Sequence, residues 1–145
     1  MSLQECVGFA NENPICSVGT VDGDQPRTRI FSMWYADETG FYFHTDIEKA
    51  VGKQLLNNPK IEVCFYAPQQ PPAIGETLRV SGEIEKIDDL EIRTKLLAER
   101  PFLKLMGVTG PEDPLLFVFR IAHGEAFIWG MGSNRRESEI ERVKF

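Results

Sequence analysis

Two periodicities divide the chain between them. Ser2 precedes Leu3, Cys6, Val7 and Ala10, a spacing that stacks four apolar side chains on one face of a short helix ending near Asn13-Pro14. From residue 15 the period falls to two. Residues 15–21 and 26–35 read as strands joined across Asp22-Gly23-Asp24, whose Asp-Gly step tolerates the positive φ of a hairpin turn. Residues 36–40 reverse the chain again, into a strand over 41–45. The helical period returns over 46–57, opened by Thr45 or Asp46. Thr45 and Glu48 stand in the relation of a capping box, and Asn58-Pro59 stops the helix.

The second half repeats the alternation. Ile61, Val63 and Phe65 interleave with Glu62, Cys64 and Tyr66, the mark of a half-buried strand, and the proline-rich stretch 67–76 is a loop. Leu78, Val80 and Ile84 carry the next strand. Asp88 and Glu91 signal the start of a helix over 89–99, which ends at Arg100-Pro101. After a turn-rich loop over 107–114, residues 115–129 form one long strand or a hairpin broken at His123-Gly124. Residues 141–145 add a short edge strand. Six or seven strands with three short helices predict a mainly β fold, an antiparallel sheet curled into a small barrel with helices over its ends or gaps.

Composition narrows the class. The 145 residues, 42% apolar and 26% charged, suit a single domain over 1–145 and exclude disorder and coiled coil. No stretch approaches the ~18 uninterrupted apolar residues of a membrane helix, so the expectation is a soluble, cytoplasmic protein with no membrane partner. A net charge of −6 disfavours a nucleic-acid surface. Cys6, Cys16 and Cys64 are odd in number and widely spaced, which predicts neither a disulfide framework nor a metal site, but small buried apolar residues.

Candidate chemistry gathers in two basic pairs. In a strand, Arg27 and Arg29 share a face with Phe31 and Met33, so one surface passes from cationic to apolar. That surface suits a ligand with an anionic tail and a flat apolar head, since Arg binds phosphate oxygens through a planar donor fork. Taken alone, the two arginines also fit solvated strand ends near Asp22 and Asp24. Lys49 and Lys53, four apart, would share a face in the first two turns of the helix after Thr45, where a phosphate would meet free N–H groups as well as lysines. Thr45 would add a hydroxyl. His44 alternates with Tyr42 on the strand leading there and fits either a contact with the same ligand or a satisfied strand histidine, while Phe31, Trp34 and Trp129 fit either the core or a stacking wall. No nucleophile, metal or P-loop motif is present, and the catalytic residues stay unassigned.

This order of features resembles the flavin-binding split-barrel proteins related to pyridoxamine 5′-phosphate oxidase. The matching pieces are Gly-Asp-Gln-Pro-Arg-Thr-Arg at 23–29, Phe-Tyr-Phe-His-Thr at 41–45 before a lysine-bearing helix, Leu-Leu-Asn-Asn-Pro at 55–59 and Leu-Arg-Val-Ser-Gly-Glu at 78–83. The resemblance implies a six-stranded antiparallel split barrel and a homodimer with FMN in clefts between the subunits. It further implies Arg29, with Arg27 beside it, at the FMN phosphate, and Phe31, Ser32, Met33 and Trp34 along the ring system. His44 and Thr45 would contact the cofactor, with Lys49 or Lys53 as the phosphate-binding lysine. Val51 stands where ungapped alignment puts that lysine, and the chain lacks the Arg/Trp-rich C-terminal segment that holds the substrate in the oxidases. The resemblance is therefore closer to the short members and the nitroimidazole-resistance-like reductases. The function it implies is FMN-dependent hydride or electron transfer to a small molecule, the alternative being a non-catalytic flavin-binding storage or sensor module.

Overall fold

The structure, a computed structural model, describes residues 1–145. Helix α1 (Leu3–Glu12) opens with the capping box of Ser2 and Glu5 and buries Cys6 and Ala10. Strands β1 (Ile15–Asp22) and β2 (Gln25–Ser32) form a hairpin closed by the pair Asp22–Gln25, and Gly23 in its two-residue turn has φ +64°. β3 (Tyr35–Asp37) and β4 (Gly40–Asp46) form the next hairpin, followed by α2 (Ala50–Asn57). β5 (Lys60–Ala67), β6 (Glu76–Lys86), α3 (Leu90–Glu99), α4 (Phe102–Leu105), β7 (Leu116–Trp129) and β8 (Val143–Lys144) complete the chain.

The strand order is β2-β1-β5-β6-β7-β4-β3, all antiparallel, with β8 on β7. The two ends of this order, β2 and β3, are separated in sequence by Met33 and Trp34 alone. The three Cα steps from Ser32 to Tyr35 span no more than ~11 Å, so the sheet must curl until its edge strands meet at that corner. They do not pair along their length, which leaves the barrel split.

The sheet has eight strands where six were expected. Residues 26–35 do not run as one strand: Met33 turns inward, 1% exposed, with its N–H on the Pro14 carbonyl, and Trp34 donates its N–H to Tyr42. β8 is the edge strand foreseen at 141–145, and β7 runs unbroken through His123-Gly124. The helix expected from residue 46 begins only at Ala50, because Thr45 and Asp46 are still paired in β4, opposite Phe117 and Leu116. Thr45 therefore caps nothing. The Asp46 carboxylate accepts from the Glu48 N–H, and Lys49 is the N-cap. At α3 the capping residue is Asp89, which accepts from the Ile92 N–H, and not Asp88.

Burial explains the continuous apolar run in β7. Phe117, Phe119 and Ile121 face the barrel interior with Phe41, Phe43, Phe65, Val18 and Val63. Leu116 and Val118 face the other way, into a second cluster with Tyr42 of β4 and with Leu96, Leu97 and Leu103 from the helices packed outside. A strand buried on both faces has no polar alternate positions.

Gly82 of β6 and Gly124 of β7 stand opposite each other beside a register shift, where the two backbones leave no room for a Cβ. A Cβ on Gly124 would collide with the Ser81 carbonyl oxygen. Gly124→Ala is expected to cost about 1–3 kcal/mol, because the obstacle is backbone and cannot rotate away. Urea unfolding at unchanged m-value measures it, and a loss under ~0.5 kcal/mol would contradict the close crossing.

Candidate functional site

The strand ends of β2 and β4 meet the start of α2 and the end of α3 around a cavity of about 500 Å³. β2 contributes Ile30, Phe31 and Ser32, and β4 contributes His44, Thr45 and Asp46. Lys49 and Arg100 lie at its polar side. Phe102, Leu103 and Met106 from α4 and its end, with Val108 and Leu115 from the following loop, supply an apolar wall.

Arg100 organises the polar side. It caps α3, and its Nη2 donates to the Met33 carbonyl at 2.7 Å, while Nη1 donates to the Ser32 carbonyl at 3.2 Å and to His44 Nε2 at 2.9 Å. A guanidinium only donates, so Nε2 accepts and the ring proton resides on Nδ1. Burial, then Arg100 and Lys49, push the His44 imidazole down to about 4. It is neutral at pH 7. Burial also pulls Arg100 below its ordinary value, with Glu99 opposing. Neither Lys49 nor Arg100 takes part in an ion pair, whereas Arg27 pairs with Asp22 at 3.3 Å and Lys53 with Glu48 at 3.7 Å. The cavity thus holds two cations without carboxylate partners. Asp113, also at the wall, is held below the usual carboxylate range by the Thr109 and Leu115 N–H groups it accepts from.

Of the ten residues singled out from the sequence, Phe31, Ser32, His44, Thr45 and Lys49 line this cavity. Met33 is core, joined to the site only through its carbonyl. Trp34 packs edge-on against Tyr35 at 4.7 Å and donates to Glu99, under α3. Arg27 lies on an open groove with Thr28, Lys60 and Glu62. Arg29 does not reach the cavity: its guanidinium donates to Thr20 Oγ1 at 2.6 Å, Gln54 Oε1 at 2.7 Å and the Val18 carbonyl. It thereby ties β1 and β2 to α2, the helix that Lys49 caps. Lys53 points away toward Glu48. Sequence patterning did not single out Arg100, Phe102 or Met106; the only local signal was that Arg100-Pro101 ends a helix. The cysteines are free, and burial raises the Cys16 thiol to about 12, an unreactive apolar filler.

Residues 2–130 match the family model for pyridoxamine 5′-phosphate oxidase. The chain belongs to the pyridoxamine 5′-phosphate oxidase family. Among curated members of this family, the pyridoxine/pyridoxamine 5′-phosphate oxidase of Pseudomonas paraeruginosa is 40% identical over 72 residues, which are 49% of this chain and 32% of that protein. The matched stretch is thus about a third of that relative's length. Among solved structures, a NimC/NimA family protein from Clostridium acetobutylicum superposes with a TM-score of 0.78 at 26% identity, covering 99% of this chain and 92% of its own. An FAD-binding protein from Mesorhizobium loti shares the fold with a TM-score of 0.61 at 20% identity over 84% of this chain and 89% of its own. The split barrel expected from the resemblance is therefore the observed fold, and no helix is long and apolar enough to cross a membrane.

Proposed function

We propose that this family member is an FMN-binding oxidoreductase acting on a small molecule, with the cofactor in the β2/β4 cavity. The observation that carries the reading is one pocket in which two unpaired cations and a hydroxyl, Lys49, Arg100 and Thr45, oppose an apolar wall of Phe31, Phe102, Leu103 and Met106. That donor set fits a phosphate-bearing ring system, and about 500 Å³ falls in the ~300–1,000 Å³ range of cofactor pockets. Lys49, at the N-cap of α2, would meet the phosphate beside the helix N–H groups. Arg29, through Gln54, would hold that helix in place and not touch the phosphate itself. Neutral His44 would orient Arg100 and carries no imidazolium proton to give at pH 7. The flavin, when bound, supplies the hydride or electron transfer, and the protein supplies binding and orientation. The same reading makes the chain a homodimer with the site at the subunit interface. It is supported by β2, paired with β1 on one side only and open along its outer edge beside the cavity, with Ile30 68% exposed.

The test is the visible spectrum after FMN addition and gel filtration, with sedimentation of the same sample. Expected are retained flavin bands at about one FMN per chain and a species of twice 16.5 kDa. Lys49→Ala is expected to weaken FMN binding about tenfold, the size of a lost charge-assisted hydrogen bond. A colourless protein, or Lys49→Ala with unchanged affinity, removes this assignment of the cavity. NAD(P)H turnover no faster than with free flavin would make the chain a binding module.

A further inference from the structure

We infer that Arg93, which does not line the cavity, is the positioning residue that sets its outer wall by clamping the loop between α4 and β7 onto the first residue of β7. The assignment of FMN to the cavity underlies the affinity arm of this inference, and the clamp itself stands on geometry alone.

Arg93 projects from α3 and is 5% exposed, an unusual place for a guanidinium. No carboxylate pairs with it. Its Nε donates to the Pro111 carbonyl, Nη2 to the Asp113 carbonyl at 2.8 Å, and Nη1 to the Leu116 carbonyl at 2.9 Å and the Ile87 carbonyl at 3.5 Å. Two of these four acceptors, Pro111 and Asp113, belong to the segment between α4 and β7, which has no helix or strand of its own, and a third, Leu116, is the first residue of β7. Backbone carbonyls buried outside a ladder need donors, and one planar guanidinium supplies five N–H groups in a fixed fork. The loop's donors are gathered just as locally: the Asp113 carboxylate accepts from the Thr109 N–H and hydroxyl and from the Leu115 N–H. Arg93 and Asp113 therefore brace the loop from within. The same loop gives Val108, Asp113 and Leu115 to the cavity wall. A wall held in one place before binding leaves less ordering to be done by the ligand, so affinity depends on a residue that never touches it.

The experiment uses the full chain, with wild type, Arg93→Ala and Arg93→Lys, each checked by circular dichroism for fold. Hydrogen exchange reads the clamp without any ligand. In Arg93→Ala the Thr109 and Leu115 amides are expected to exchange about tenfold faster or more, while those of Phe119 and Ile121 in β7 keep their protection. FMN titration reads the consequence, with an expected rise in Kd of about tenfold. Millimolar guanidinium should restore affinity toward wild type, while ammonium at equal ionic strength should not. A merely stabilising arginine would not show that rescue. Arg93→Lys keeps charge and length without the planar fork, so it gives the same changes in smaller size and serves if Arg93→Ala does not fold. Unchanged exchange in the loop overturns the clamp, and faster exchange with unchanged FMN affinity overturns the positioning role. Wild type that binds no FMN overturns the cofactor assignment and leaves the exchange result to decide the clamp.

Discussion

Phe119→Ala is expected to destabilise the fold by about 3–5 kcal/mol, the usual range for truncating a fully buried phenylalanine. Phe119 is 0% exposed. Its ring lies nearly parallel to Phe43 across the β4–β7 pair, with centroids 5.5 Å apart, and Phe117 packs against it at 5.3 Å. Truncation removes both ring contacts and leaves a void that neighbouring strands cannot close, since each is fixed by hydrogen bonds on both sides. Against a total stability of about 5–15 kcal/mol for a domain, such a loss brings the protein near unfolding at room temperature. Phe119→Leu keeps most of the volume and should lose under about 1.5 kcal/mol. Phe102→Ala makes the contrast. That residue is 47% exposed at the cavity wall, so its removal should leave the urea midpoint nearly unchanged while altering ligand affinity. A Phe119→Ala loss below ~1 kcal/mol would mean that β4 and β7 do not form the centre of the barrel.

What the sequence made legible was local. Alternation in 15–21 and 61–66 maps directly onto the inward positions Cys16, Val18 and Thr20 and Ile61, Val63 and Phe65, because one face of each strand is buried and the other is not. The break at Met33-Trp34 was invisible, since neither Gly nor Pro marks it. It arises where the two edges of the curled sheet meet, and the period-2 pattern carries no record of that closure. Thr45 and Glu48 have the spacing of a capping box, yet pairing of Thr45 with Phe117 extends β4 and delays the helix. Tertiary pairing outweighed a local preference.

The site divides the same way. His44, Thr45 and Lys49 are legible because a strand end followed by a helix start places them together within six residues. Arg100 and Arg93 are not. Arg100 meets His44 and Met33 across 56 and 67 residues of chain, and Arg93 meets loop carbonyls about 20 residues on. These contacts exist because α3 folds back outside β4 and β7, and nothing in the local spacing of either arginine announces backbone carbonyl partners.

Between pH 7 and pH 4 the fold is expected to lose about 3 kcal/mol through His44 alone. Burial, with the like charges of Arg100 and Lys49, puts its folded value near 4 against an ordinary 6.5. At about 1.4 kcal/mol per unit, the difference sets the size. The sign follows from which state binds the proton: the unfolded chain takes it up first, so the contribution is fully present above pH 6.5 and drains away as pH falls toward 4. A protonated ring would also lose its role as acceptor for Arg100 Nη1, and the charge would face two cations across the cavity, with the Asp46 and Asp113 carboxylates already committed to loop and turn N–H groups. Urea midpoints across this range measure the loss, and His44→Gln should flatten it, since an amide does not titrate. Imidazole proton resonances give the same quantity directly, with His123→Gln assigning the other ring. Arg100→Met should raise the His44 value part of the way back, because burial remains the larger cause. A His44 ring that titrates near 6.5 in the folded protein would place it in solvent, and would dissolve both its contact with Arg100 and the polar side of the cavity built on it.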